Sequence, residues 1–535
     1  MSRVTMRVNA RAKGVLVSFL AGLLLVGVVA VNPAMAGRQG YSPTYEEVAC
    51  DSDQFAGRLP DRDIRCGFLT VPENRELPMV EGNAVVLPVA VIKADATDAR
   101  RDPVLLLAGG PGVSGIDVFT SFGDTLPGWV AALASTRDVI LLDTRGTGRA
   151  EPSLVCLDPE LGIERGLAAQ YRMFATTDDP AQERAVLDQA YIDCASDLRA
   201  QGIDLNQYDT PTVAQDLADL RRMLGVRRWN VYGQSAGTTV ALEVLRQQPW
   251  RQRSVVLDSV YPAFAKYDPA TQVSNRKAAF RVVVEAAGLD IATVEADLAA
   301  IQTRYNDDPY ESSDPYLALP VNFTGDDAIG ILSQLMFLPD LVPLLELMVA
   351  NLKDYDVATG EPAQLSLEPV FGEGVETVFD FALGVFYPAF SGLADGHFIA
   401  VECADRSQFL EPANYAEVLA SEPIYGSTVF SLPTLPNVCE AVDVDPVPVR
   451  TYRIRRTGVP SLVLAGLLDG DTPPSDGLLV SQRLGRWSQY VEFPGAAHVV
   501  AGYSAFDPAS QCADSMISTF IDSPRQPVDT ACIGG

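Results

Sequence analysis

The chain has 535 residues, more than one ordinary domain needs, so two or more folding units are expected. It is 47% hydrophobic and 20% charged, which excludes a disordered or low-complexity chain, and its net charge of −29 repels nucleic acid and anionic membranes. No nucleic-acid partner is expected, and the acidity reads as a solubility device.

The first 36 residues stand apart. Arg3, Arg7, Arg11 and Lys13 are followed by an apolar run from Val15 to Val31 and then by Asn32-Pro33-Ala34-Met35-Ala36. The A-x-A ending predicts a signal peptide cleaved after Ala36. The competing reading is an uncleaved anchor, since the run lies at the lower edge of spanning length. Losing these four positive charges takes the net charge from −29 to −33. Export places the chain in a secreted, periplasmic or cell-envelope setting, with no stable membrane partner after cleavage.

The cysteines are Cys50, Cys66, Cys156, Cys194, Cys403, Cys439, Cys512 and Cys532. An even number in an oxidising compartment predicts disulfides. Sequence allows 105 connectivities. Nearest-neighbour pairing gives 50–66, 156–194, 403–439 and 512–532. With no C-x-x-C and only two histidines, no metal site is expected.

Residues 37–49 read as a short leader. Ala84–Ile92 reads as a strand, with Pro88 pointing to an edge or a bulge. Val104–Leu107 stops at Gly109-Gly110-Pro111-Gly112, and Val139–Leu142 stops at Asp143-Thr144-Arg145-Gly146. Arg228–Tyr232 and Val255–Leu257 follow the same pattern. Short apolar runs ending in Gly-rich turns fit buried parallel strands. Thr210-Pro211 opens a helix in which Val213, Leu217, Leu220 and Leu224 share a face, and Gly225 closes it. Alternating strand and helix predict an α/β class with a mostly parallel sheet.

The alternation breaks near Pro262. Residues 263–455 read as a mainly helical cap, with Val294, Leu298 and Ile301 on one helical face and Phe379, Phe381, Phe386, Tyr387 and Phe390 as cap core or, alternatively, a pocket lining. Strands resume at Pro460–Ala465 and Tyr490–Phe493. The expected organisation is a signal peptide over 1–36, a sheet domain over 37–262, a cap over 263–455, and the rest of the sheet domain over 456–535.

Gly233-Gln234-Ser235-Ala236-Gly237 matches G-x-S-x-G. The match alone is weak, but it lies between a predicted strand and a predicted helix, the context of a nucleophile elbow. A serine hydroxyl needs a base. His498 follows the last predicted strand, at the same sheet edge as Ser235, whereas His397 falls in the cap and reads as structural. The imidazole needs an orienting carboxylate. Asp469 follows the strand Leu462–Ala465; Asp471 and, more remotely, Asp258 are rivals. The order Ser235, Asp469, His498 is that of the α/β-hydrolase fold. Backbone N–H groups of Ala236 and of the Gly109–Gly112 loop are candidate oxyanion donors. The turn Asp143–Gly148 lacks a Walker lysine and does not match G-x-G-x-x-G, so no nucleotide or other cofactor is expected. It reads as support for the active-site edge.

Taken together, Gly109-Gly110-Pro111-Gly112, Asp143-x-Arg145-Gly146-x-Gly148, the Ser235 elbow and Asp469-x-x-Thr472-Pro473 followed by His498 resemble the proline iminopeptidase and tripeptidyl aminopeptidase branch of α/β hydrolases. Val401–Asp405 and the Cys512–Cys532 region resemble its secreted members. The resemblance spans roughly residues 50–535. It implies a capped active site, release of residues from peptide N-termini, and Gly110 and Ala236 as oxyanion donors. Ala108 stands where His usually precedes G-G-P-G, and Ala236 where an aromatic often follows the nucleophile, which puts a preference for proline in doubt. An aminopeptidase needs a carboxylate for the substrate's α-ammonium; the resemblance puts Glu402 and Asp405 near the cleft, and both also read as surface acids. A carboxylesterase or lipase acting on esters with the same triad is the alternative to peptide cleavage, and a non-catalytic scaffold is the third reading.

Overall fold

The computed structural model describes residues 42–535 except 51–54, 56–61, 81, 121–125, 177–179, 266–267, 314–319, 336–337, 355–364, 373, 384–391, 411–414, 430–434, 503–507 and 535. The segment 1–36, with its signal-peptide reading, and the aromatic residues Phe386, Tyr387 and Phe390 lie outside the described residues.

Eleven strands are described. They are β1 (Thr44–Val48), β2 (Ile64–Val71), β3 (Val85–Ile92), β4 (Arg100–Leu107), β5 (Arg137–Leu142), β6 (Trp229–Gln234), β7 (Gln252–Asp258), β8 (Tyr310–Ser313), β9 (Pro320–Phe323), β10 (Ser461–Gly466) and β11 (Ser488–Phe493). Nine form one sheet in the order β1-β2-β3-β5-β4-β6-β7-β10-β11. From β5 to β11 every neighbouring pair is parallel, and β1, β2 and β3 are joined antiparallel at one side.

Side-chain alternation along the strands splits the core between the two sheet faces. In β4, Val104 and Leu106 pack with Trp129 and with Ile517 and Phe520 of the helix Pro508–Asp522. Leu105 and Leu107 face the other way, onto Val213 and Leu217 of the helix Thr210–Met223 and Val244 of the helix Ala236–Gln247. Each fully buried Leu or Val contributes about 1.5–3 kcal/mol of transfer free energy. Asp209 caps the helix Thr210–Met223, its side chain accepting from Thr212 N at 2.7 Å.

Two details differ from the expectations. Residues 44–48 are not leader: they form the edge strand β1, paired antiparallel with β2. Pro88 lies in an interior strand, but the ladder from β3 to β5 begins at Val89, so no donor is required of Pro88 there.

Above the sheet, Val294, Leu298 and Ile301 of the helix Ile291–Asp307 pack with Phe280, Phe323 and Phe379. Phe379 stacks between Tyr310 and Phe323, at 4.8 Å from each ring. The β8–β9 hairpin in this layer has no counterpart among the predicted elements. The layer reaches Leu468 and Ala497, which flank Asp469 and His498. A second cluster joins the helix Pro180–Ala200 to the helices Asp395–Arg406 and Leu435–Val442.

The disulfides are Cys50–Cys66, Cys156–Cys194, Cys403–Cys439 and Cys512–Cys532, with Cα separations of 5.1 to 5.7 Å. This is the nearest-neighbour pattern.

Candidate active site

Parallel strands carry their C-terminal loops to one sheet edge, where ligands of open α/β sheets bind. Here β4 delivers Gly109 and Gly110, β6 delivers Ser235, β10 delivers Asp469 and β11 delivers His498. Ser235 stands between β6 and the helix Ala236–Gln247 at φ 52° and ψ −127°, a backbone state that L-residues rarely adopt. The turn is tight enough that a Cβ on Gly237 would lie 2.4 Å from Leu107 O, so only glycine fits. Ser235 N donates to Asp258 O at 2.9 Å, which ties the elbow to the end of β7.

His498 Nε2 lies 3.0 Å from Ser235 Oγ, and His498 Nδ1 lies 3.0 Å from Asp469 Oδ2. Asp469 Oδ1 accepts from Asp471 N at 3.0 Å and Thr472 N at 2.8 Å, and the Thr472 hydroxyl donates to Asp469 Oδ2. Thr472 Oγ1 is also 3.2 Å from His498 Nδ1. Burial works against the Asp469 carboxylate, but the facing imidazole and these hydrogen bonds hold its pKa below the ordinary value. Burial likewise disfavours a charged His498. The Asp469 charge and hydrogen bond, with the charges of Asp471 and Asp258, outweigh it and raise the pKa to about 9.

The loop carrying His498 is held by the end of β7. Val499 N donates to Ser259 Oγ at 2.8 Å; Val500 N and Ala501 N donate to the two Asp258 carboxylate oxygens at 2.9 Å each. The Tyr232 hydroxyl donates to Asp258 Oδ2 at 2.9 Å. Asp258 thus holds the backbone around His498, while Asp469 holds the ring. The Asp471 carboxylate pairs with Arg276 at 2.9 Å.

On the other side of Ser235, Gly110 takes φ 106°, and a Cβ on Gly109 would lie 2.8 Å from Ser235 Cβ. Asp143, fully buried, anchors the segment that follows: its Oδ1 accepts from Ser114 Oγ at 2.7 Å and Ile116 N at 3.1 Å. Arg145, also buried, forms a bidentate pair with Asp216 at 2.7 and 2.8 Å.

Two cavities flank this glycine loop. The larger, about 600 Å³, is lined by Ser235, His498, Gly110, Phe119, Trp129, Phe398, Asp117 and Asp471. The smaller, about 50 Å³, is lined by Ala236, Tyr261, His397, Glu402, Asp405 and Arg406. The structure therefore places Glu402 and Asp405 on the far side of the loop from Ser235, and neither is a surface acid. Glu402 accepts from Tyr261 Oη at 3.2 Å and pairs with Arg406 at 3.1 Å, while Arg406 lies 3.4 Å over the Tyr261 ring. Asp405 accepts from the Tyr452 hydroxyl and from Thr210 N. Burial raises both carboxyl pKa values, that of Asp405 to about 7. His397 is buried in the same region, and burial lowers its pKa to about 4. The acids that do face Ser235 are Asp117, paired with Arg149 at 3.1 Å, and Asp471, 38% exposed.

Thr472 and the Asp258–Ser259 pair had no such role assigned from sequence. Thr472 lies at the Asp-x-x-Thr spacing, where a hydroxyl can return to the carboxylate three residues before it. Nothing local to Asp258 marks its bonds to residues 500 and 501.

A serine on a strand-to-helix elbow, beside a histidine and an aspartate delivered by later strands of one parallel sheet, defines a serine hydrolase of the α/β-hydrolase fold. Residues 102–290 match the family described as alpha/beta hydrolase fold, and residues 427–532 match the family described as TAP-like protein. Together the two matches support a TAP-like α/β hydrolase. It is 29% identical over 232 residues to a tripeptidyl aminopeptidase of Streptomyces lividans, covering 43% of this chain and 40% of that one. It is 26% identical over 238 residues to the serine protease Hip1 of Mycobacterium tuberculosis, covering 44% of each. It is 28% identical over 151 residues to carboxylesterase B of Mycobacterium tuberculosis, covering 25% of this chain and 27% of that one. The first two matches span about two fifths of those relatives' own length.

Proposed function

We propose that the protein is an exported serine aminopeptidase that releases residues from peptide N-termini through an acyl-enzyme on Ser235. The observation that carries the reading is the unbroken relay from Ser235 Oγ through His498 to Asp469, at 3.0 Å per step. Neutral His498 takes the Ser235 proton as Oγ attacks the scissile carbonyl, then returns it to the leaving amine. Asp469 keeps Nδ1 protonated and stabilises the imidazolium. Ala236 N is the first N–H of its helix and has no intrahelical partner to lose; with Gly110 N it receives the oxyanion. Water then repeats the sequence on the acyl-enzyme.

Likeness to a tripeptidyl aminopeptidase supports peptide substrates with a free amine. The position of Asp471 supports it further. Its carboxylate, though paired with Arg276, is 38% exposed and borders the Ser235 cleft, whereas Glu402 and Asp405 are buried behind the glycine loop with Arg406, Tyr261 and Tyr452. Asp471 is accordingly the proposed anchor for the substrate's α-ammonium. Four disulfides support an oxidising, extracellular or envelope location.

The test is turnover of free and N-acetylated mono-, di- and tripeptidyl p-nitroanilides beside unactivated esters. Amide turnover that collapses on acetylation, and a free-amine preference that Asp471→Asn abolishes, support the proposal. Hydrolysis of the esters with no amide turnover would instead make the protein a carboxylesterase.

A further inference from the structure

The sheet that carries the catalytic loops at one edge has an opposite edge, where the parallel strands begin. That edge is rich in arginine, although the chain as a whole is strongly acidic. Arg227 and Arg228 precede β6, Arg251 precedes β7, Arg455 and Arg456 precede β10, and Arg486 precedes β11. These residues are far apart in sequence. The strand order β6-β7-β10-β11 makes them neighbours, since adjacent strands lie about 4.8 Å apart.

The next two strands along the same edge show what neutralised arginines look like. Arg100 of β4 and Arg137 of β5 are paired with Asp102 or Asp522, as is Arg253 within β7. Among the described residues, no carboxylate forms an ion pair with Arg227, Arg228, Arg251, Arg455, Arg456 or Arg486. Arg251 is close enough to Arg221 to depress its pKa, after burial the largest cause, so like charges crowd together at this edge.

The same edge exposes apolar surface. Trp250, directly before Arg251, is 65% exposed, and Met223, at the end of the neighbouring helix Thr210–Met223, is 40% exposed. Arginines interleaved with an exposed indole match the boundary between lipid headgroups and acyl chains. A soluble polyanion would pair with the arginines but offers the apolar side chains no acyl layer. The net negative charge does not forbid such docking, because charges more than about 8–10 Å away are screened at physiological salt.

We propose that the edge formed by the starts of β6, β7, β10 and β11 docks on an anionic lipid surface. Ser235 and His498 lie at the opposite ends of these strands, so docking would turn the catalytic cleft away from the lipid and towards soluble substrate.

The experiment is co-sedimentation of the full chain with phosphatidylcholine vesicles, with and without phosphatidylglycerol, at low and high salt. Residues 1–36 are common to every variant, so only the difference between vesicle types and between variants is read. Wild type should bind the anionic vesicles, and high salt should release it. The Arg455→Glu/Arg456→Glu variant should bind them on the order of 30-fold less tightly, at about fivefold per arginine near the surface before counting the reversed charge. It should hydrolyse p-nitrophenyl acetate as wild type does. Trp129 and Trp229 are buried, whereas Trp487 is half-buried beside Arg486 on the same edge, so the blue shift of tryptophan emission on binding should be reduced in Trp250→Ala and lost in Trp250→Ala/Trp487→Phe. Equal binding to neutral and anionic vesicles, or unaltered binding by the double variant, would overturn the proposal. So would capture by soluble polyphosphate with no vesicle binding, which would make the occupant a soluble polyanion.

Discussion

Ser235 holds its strained backbone state because β6, the Gly237 contact and the bond from its own N–H to Asp258 O leave no alternative. Replacing its hydroxyl leaves that frame intact. Ser235→Ala should keep the wild-type melting curve and lose on the order of 10⁶ in kcat. His498→Ala should be nearly as damaging and His397→Ala mild, because buried His397 borders the small cavity and not the Ser235 cleft. Asp469→Asn should cost on the order of 10⁴ in kcat through the wrong tautomer, while Asp471→Asn should spare turnover of small activated esters. The raised pKa of His498 sets the sign of the pH response. The imidazolium is favoured, the basic form is scarce below the raised pKa, and kcat/KM should climb with pH through an apparent pKa above the unperturbed ~6.5 of imidazole. In Asp469→Asn the remaining limb should move towards acid. A wild-type limb at or below the unperturbed value would contradict the assigned environment. The three relay residues were legible in sequence because chemistry restricts the choice: only two histidines occur, and only one follows a strand at the Ser235 edge. The surroundings of Glu402 and Asp405 were not legible. Their engagement with Arg406, Tyr261 and Tyr452 depends on residues up to 141 positions away.

At the level of elements, the loop after β11 depends on the end of β7. Asp258 receives two backbone N–H groups and the Tyr232 hydroxyl, and Asn would offer one oxygen and a competing donor pair in their place. Asp258→Asn should cost about 1–3 kcal/mol, read from denaturant melts, and also lower kcat by loosening His498. Its acidic limb should move to lower pH, since the Asp258 charge helps to raise the His498 pKa. A purely structural residue would change the melt and leave that limb in place. The central parallel strands were legible as short apolar runs ending in glycine turns, because both faces of such strands are covered. β1 was not, since an edge strand with one exposed side carries Tyr45, Glu46 and Glu47 and no apolar run. The β8–β9 hairpin was missed for a similar reason, as Tyr310–Ser313 reads Tyr-Glu-Ser-Ser and is extended by its pairing with β9.

The helical layer lies over the catalytic edge of the sheet, arginines are exposed at the other edge, and each disulfide closes a local loop. Cys403–Cys439 joins the helix bearing Glu402 to the helix Leu435–Val442, across 36 residues. Replacing both cysteines by serine should cost about 4 kcal/mol by loop-closure entropy, seen as a lower midpoint in a denaturant melt. Charge totals could not reveal the arginine edge, because a net charge carries no information on where the strands bring its members together. The central claim is that Ser235, activated by His498 and Asp469, forms the covalent intermediate. It is tested most directly by reaction with a fluorophosphonate probe, followed by intact-mass measurement and peptide mapping. A single adduct on Ser235 is expected, absent in Ser235→Ala and formed far more slowly in His498→Ala. An adduct on any other residue, or labelling of Ser235→Ala at the wild-type rate, would contradict it.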